Sequence, residues 1–352
     1  MSQSSFPISS NPFILGIPED LPVDEQGLQS AKMLASQVIT QIEAAQAYRS
    51  LTTFISTLNK IHQQLPQVSD GVVVDDPRES QENRDNDKAF WIERHRGEST
   101  ALLIKATLEA TVQVCELVER WGTNLSQDEW NQVISTVDAI LHTIIEPRSM
   151  PQTRNYSLAL PARQEDPNMP FRRWVRGHLL FMVLCQGMSL SLNLMTRAAQ
   201  NNDIELAHAQ ANRIIQLMDI SRITLEFATD LNQEQYLSEI RPTLMPPIAP
   251  PKMSGINWRD HEVLVRLMRQ STPIWSFIEQ THPKTVERMR SVLTEVYTAH
   301  RSVCEKFVGE SSSSLLARKK AATPAGQILE GLKKTRMRSL DTSSLTPDEH
   351  KK

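Results

Sequence analysis

Apolar residues recur three and four positions apart over most of the chain, and no strand-like alternation is sustained, so the pattern predicts an all-α fold. Helices are expected over 29–65, about 90–121, 127–145, 171–200, 203–231, 258–280 and 284–308, with a short piece at 325–337. Ser126 stands three residues before Glu129, the spacing of a capping box, and marks the start of the third. From Phe171 the run FRRWVRGHLLFMVLCQG passes from arginine-rich to apolar on every side, which predicts a buried central helix. His178 and Cys185 within it are read as packing residues.

Between these runs the chain turns polar or proline-rich. Residues 1–26 are expected to form an extended N-terminal arm, 27–340 a single helical domain, and 341–352 a disordered polar tail. An acidic loop is expected over 66–88 and a long irregular crossing from Glu146 to Pro170, and no strand pair is expected anywhere. The segment RPTLMPPIAPPKMSG, from Arg241, carries five prolines, so it cannot be a helix interior; it should run extended or wall a pocket.

Composition narrows the function classes. The net charge of −3 offers no basic field for nucleic acid, and with 11 glycines among 352 residues no glycine-rich phosphate loop appears. Three cysteines make no disulfide framework and suit a reducing compartment. No secretory leader and no uncharged membrane-length run is read, so a cytoplasmic protein without membrane contact is expected.

The chemistry concentrates on two helices near the end. In ERMRSVLTEVYTAHRSVCEKFV the residues Met289, Val292, Leu293, Val296, Val303 and Phe307 form one apolar stripe. His300 continues that stripe, and Cys304 follows four residues later on the same face, about 6 Å along the axis. In NWRDHEVLVRLMRQ, Trp258, His261, Leu264, Val265 and Met268 share a face, so His261 is a second inward imidazole. Both histidines and the cysteine could simply pack in a core, or His300 and Cys304 could share a zinc ion with further ligands. Imidazoles facing an apolar space also suit haem iron, with a thiol one turn away from one of them able to add across a vinyl group. A third cluster, DKAFWIERHRGEST, crowds Trp91, Arg94, His95, Arg96 and Glu98 together. It reads either as a solvated face or as a pocket wall in which His95 is a base and an arginine clamps a carboxylate.

These segments resemble the histidine-ligated haem-dependent aromatic oxygenases, the superfamily of tryptophan and indoleamine dioxygenases. LTEVYTAHRSVCEKFV is similar to the helix carrying their proximal histidine, DKAFWIERHRGEST to their distal helix, and ATPAGQILEGLKKTRMRSL to their C-terminal substrate loop and helix. HRSVC together with a histidine 39 residues earlier is similar to the narrower type that hydroxylates 3-methyl-L-tyrosine in saframycin-type biosynthesis. The resemblance implies a helical bundle of the haem-dioxygenase type. It implies haem bound to the metal ligands His300 and His261, with one thioether to Cys304, and hydrogen peroxide as oxidant. His95 and His261 are implied as catalytic residues. Trp91, Arg94, Arg96, Arg259 and Thr323 are implied as the contacts of a small aromatic amino acid. The implied reaction is ring hydroxylation ortho to the phenol, and a homodimer is compatible with it. Thr323-Pro324-Ala325-Gly326 stands where the dioxygenases have a glycine-rich loop, which favours a phenol over an indole. The alternatives are a tryptophan-type dioxygenase using molecular oxygen and a non-catalytic bis-histidine haem protein.

Overall fold

Local chemistry sets where the expected helical runs break. A computed structural model describes residues 11–44, 50–156, 158–164, 169–246, 249, 255–308 and 325–340. The first run divides into α1 (Gln29–Ala44) and α2 (Leu51–Gln64), the latter capped by Ser50, whose hydroxyl accepts from the Thr53 amide. The capping box at Ser126 forms as expected: Glu129 accepts from the Ser126 amide at 2.8 Å while the Ser126 hydroxyl accepts from the Glu129 amide at 3.3 Å. It opens α5 (Gln127–Ile134), and a break at Ser135 separates α6 (Thr136–Ile145).

The segment 88–98 is a correction. It is not the first turn of a helix but part of a strand, and the preceding acidic stretch is partly helical. α3 (Gln81–Ala89), boxed by Ser80 and Asn83, ends at Trp91, whose φ of 56° takes the backbone out of the helix. Strand β3 (Ile92–Gly97) then lies between β1 (Phe13–Gly16), parallel to it, and β2 (Ser69–Val72), antiparallel. The N-terminal arm is therefore sewn into the fold, with Phe13, Leu15 and Ile17 buried. The alternation that marks a half-buried strand is hidden in IERHRG because the inward residue after Ile92 is Arg94, buried by ion pairing rather than by hydrophobicity.

The remaining elements are α4 (Ser99–Trp121), α7 (Met169–Gln200), α8 (Ile204–Ala228), a short turn α9 (Gln233–Gln235) leading to a π-helical stretch over Tyr236–Ile240, α10 (Arg259–Gln270), α11 (Thr272–Thr281), α12 (Pro283–Val308) and α13 (Ala325–Arg338). The all-α class thus holds, with one small sheet at its edge. Gly122 closes α4 at φ 62°, and a Cβ there would collide with the Ala162 carbonyl. The long helix α7 is the centre of the bundle, packed by α8, α4 and α10, as its all-round apolarity predicts. Within its residues 170–200 an 18-residue window is apolar enough to span a bilayer, but 83% of that window is buried among the other helices. Gly177 brings α7 close to α8: a Cβ at this position would lie 2.5 Å from Ala228 Cβ.

Candidate active site

A cavity of about 380 Å³ opens between α7, α8, α10, α12 and α13. Its walls are apolar and aromatic, with Phe90, Trp174, Phe181, Tyr236, Trp258 and Tyr297 among them. Into this space the fold brings His261 from α10, His300 and Cys304 from α12, and His178 from α7. The i, i+4 spacing of His300 and Cys304 keeps both on the cavity face of α12, as the sequence requires. The zinc alternative loses its support: among the described residues no three His, Cys, Asp or Glu side chains gather as metal ligands.

Each imidazole is held neutral. Burial is the main cause, pushing His261 and His178 down to about 4, and His300 below its ordinary value. His300 lies near enough to both other rings to depress them further. The His261 Nδ1–H donates to the Gly255 carbonyl at 2.8 Å, and that of His178 to the Trp174 carbonyl at 2.6 Å. Those bonds fix the tautomers and leave an Nε2 lone pair on each ring. His300 is exposed, but its exposed surface faces the cavity. The Cys304 thiol is half-buried and pushed up by burial.

Two knots of buried charge orient α10 toward the cavity. Arg94 bridges Asp87 (2.7 and 2.9 Å) and Asp260 (3.0 and 2.6 Å), and Gln186 donates to Asp260 at 2.7 Å. Arg259 pairs with Glu19 at 3.0 Å and Asp76 at 2.5 Å. These bonds tie the first turn of α10, and with it His261, to the N-terminal arm, to α3 and β3, and to α7.

The distal assignments are therefore corrected. Arg94 has its fork filled by carboxylates, Arg259 is paired with Glu19 and Asp76 with Glu79 3.8 Å from its Nη1, and both lie outside the cavity lining, so neither is placed to clamp a substrate there. His95 bonds Ser69 through Nδ1 and Glu93 through Nε2, and Trp91 and Arg96 are exposed; none of the three reaches the cavity. What the segment contributes is Phe90. Thr323 lies outside the described residues. Conversely, His178, read as packing, faces the cavity, its ring tilted against Trp174 and Phe90 and edge-on to Trp258 at centroid distances of 4.4, 5.5 and 5.0 Å. The cavity's cations are Arg241 and Arg336, neither singled out by the sequence reading. The arginines of α13 look like a solvated basic end, and only the packing of α13 against α12 turns one inward.

Neutral imidazoles gathered in an apolar, ligand-sized hollow within a helical bundle are the frame of a redox enzyme that works on an enclosed aromatic molecule. Comparison with known proteins gives the particular kind. The model of the SfmD 3-methyl-L-tyrosine peroxygenase family matches residues 14–289, a span that contains His178 and His261 and stops short of His300. A 3-methyl-L-tyrosine peroxygenase of Streptomyces lavendulae is 36% identical over 340 residues, covering 96% of this chain and 93% of the relative. The crystal structure of reduced SfmD, soaked with sodium hydrosulfite, superposes with a TM-score of 0.74 at 36% identity over 83% of this chain and 97% of that one. The chain belongs to the SfmD peroxygenase family.

Proposed function

We propose that this protein hydroxylates the ring of a 3-methyl-L-tyrosine-type amino acid, ortho to the phenol, with hydrogen peroxide, and that haem is its cofactor. The observation that carries the reading is the convergence of His261, His300 and Cys304 on one apolar cavity. The residues present fit a porphyrin. Two neutral nitrogen donors come from different helices, aromatic walls suit a flat ring, and a thiol stands one turn from one donor. Three buried donors in the wall, Trp174 Nε1, Trp258 Nε1 and Arg336 Nη1, find no acceptor within the protein, as expected of a space shaped for an oxygen-bearing ligand.

In this reading His300 and His261 would hold the iron and Cys304 would form a single thioether, its S–H adding across a vinyl group without any oxidant. When bound, the haem would supply the redox chemistry by which hydrogen peroxide delivers one oxygen atom to the ring and leaves the other as water. The chain supplies the rest. His261, held by one hydrogen bond to the Gly255 carbonyl and by edge-on packing against Phe181, would be the ligand displaced to admit peroxide. His178, neutral and held by the Trp174 carbonyl, takes the proton that peroxide gives up and returns it to the departing water, the role expected for His95. The aromatic walls exclude water and hold the phenol. Free cysteines and a peroxide-consuming reaction suit the cytoplasm.

The test is spectroscopic. Wild type should show a six-coordinate bis-imidazole spectrum, His261→Ala a five-coordinate one, and His300→Ala should lose haem or activity. Acid–acetone should extract haem from Cys304→Ala but not from wild type. An unchanged spectrum in His261→Ala removes that residue from the iron.

A further inference from the structure

Arg213 is a buried arginine with no carboxylate beside it that lies away from the cavity; Arg336 is one on the cavity wall. It is 6% exposed, it lines the cavity, and its Nη1 has no hydrogen-bond partner. The buried arginines in the knots around α10 meet carboxylates: Arg94 meets Asp87 and Asp260, and Arg259 meets Glu19 and Asp76, with Glu79 3.8 Å from its own unbonded Nη1. Around Arg336 the neighbouring titratable groups are Tyr297, Arg269 and His261, so no described carboxylate offsets its charge. Leaving a cation in this state costs stability, and such a cost persists where a ligand of opposite charge fills the gap.

We propose that Arg336 is the carboxylate anchor of the cavity. The reading rests on the haem assignment above and extends it to residues no helix motif marks. Two carboxylates could enter: a porphyrin propionate or the α-carboxylate of the amino-acid substrate. The layout of α12 favours the first. Tyr297 lies one turn before His300 and Cys304 one turn after it, and Arg336 sits beside Tyr297. On protoporphyrin the propionates leave the edge opposite the vinyl groups. A ring held by His300 and tied by a vinyl to Cys304 would direct its carboxylates toward the Tyr297 side, where Arg336 lies. Arg241, near Tyr236 at the Cys304 end, is then left for the other carboxylate.

The experiment compares full-length Cys304→Ala, in which haem binding is reversible, with the same chain carrying Arg336→Gln or Arg336→Lys. Hemin titration should show a ten- to hundredfold loss of affinity in Arg336→Gln, the range of a charge-assisted bond in a dry site, with partial recovery in Arg336→Lys. Hemin dimethyl ester should bind all three alike. If hemin affinity is unchanged but 3-methyl-L-tyrosine binds ten- to hundredfold more weakly while 3-methyltyramine does not, the anchor holds the substrate instead. Binding of hemin and amino acid within twofold of the parent, in variants with the parent's circular dichroism, overturns the proposal. Should Arg336→Gln not fold, Arg336→Lys, which keeps the charge and loses the fork, is read against the same thresholds. A parent chain that takes up no hemin refutes the haem assignment, and the amino-acid against amine comparison still reads Arg336.

Discussion

Replacing Asp260 by alanine tests whether the fold outside the cavity sets the site within it. Asp260 is fully buried and accepts from Arg94 Nη1 at 3.0 Å, Arg94 Nη2 at 2.6 Å and Gln186 Nε2 at 2.7 Å. Removing one partner of a buried ion pair costs about 3–5 kcal/mol because the other charge stays behind in a dry place. Arg94 keeps Asp87 and the Gly16 carbonyl, which holds the loss near the lower end, and Gln186, left with Gly16 as the acceptor of its amide, adds at most about 1 kcal/mol. Asp260→Ala should therefore lose about 3–4 kcal/mol, a large part of the roughly 5–15 kcal/mol that keeps a domain folded. Urea denaturation with an unchanged m-value measures it. Arg288→Ala, which removes a half-exposed ion pair to Glu295, is the comparison and should cost about 0–1 kcal/mol. Because His261 follows Asp260 directly, the surviving folded fraction should also lose the His261 contribution to the haem spectrum. A loss below about 1 kcal/mol would mean that the knot is hydrated and that something else orients α10.

Two further outcomes follow from the titratable groups. His178→Leu should leave haem content and the resting spectrum intact while slowing the peroxide-dependent step by about 10²-fold, the usual worth of a positioned acid–base group; an unchanged rate with peroxide excludes it as the proton carrier. Burial pushes Glu109 up to about 7 from an ordinary value of 4.5, so the folded chain binds its proton more tightly than the unfolded one. The strain of ionising it is fully present above pH 7 and lifts as the pH falls toward 4.5. Glu109→Gln should thus stabilise the protein by about 1–2 kcal/mol at pH 8, after allowing for partial solvent access, and by almost nothing at pH 4.5. Equal urea midpoint shifts at both pH values would remove Glu109 as the source.

The sequence by itself determined the helical class, most helix positions and the shared face of His300 and Cys304, because these depend on a 3.6-residue period and on neighbours a few positions away. It also marked the inward face of α10, since Trp258, His261, Leu264 and Met268 fall on one stripe. Only the tertiary structure decided which charged residues are free to act. Arg94 and Arg259 look like clamps until Asp260, Glu19 and Asp76 arrive from distant parts of the chain, and Asp87 from α3 just before β3, to pair with them. His95 and His178 exchange places for the same reason: strand β3 keeps one out of the cavity lining, and the packing of α7 puts the other in it. Arg336 has no local signal at all, because burial without a partner is a property of the assembled fold and of no stretch of residues.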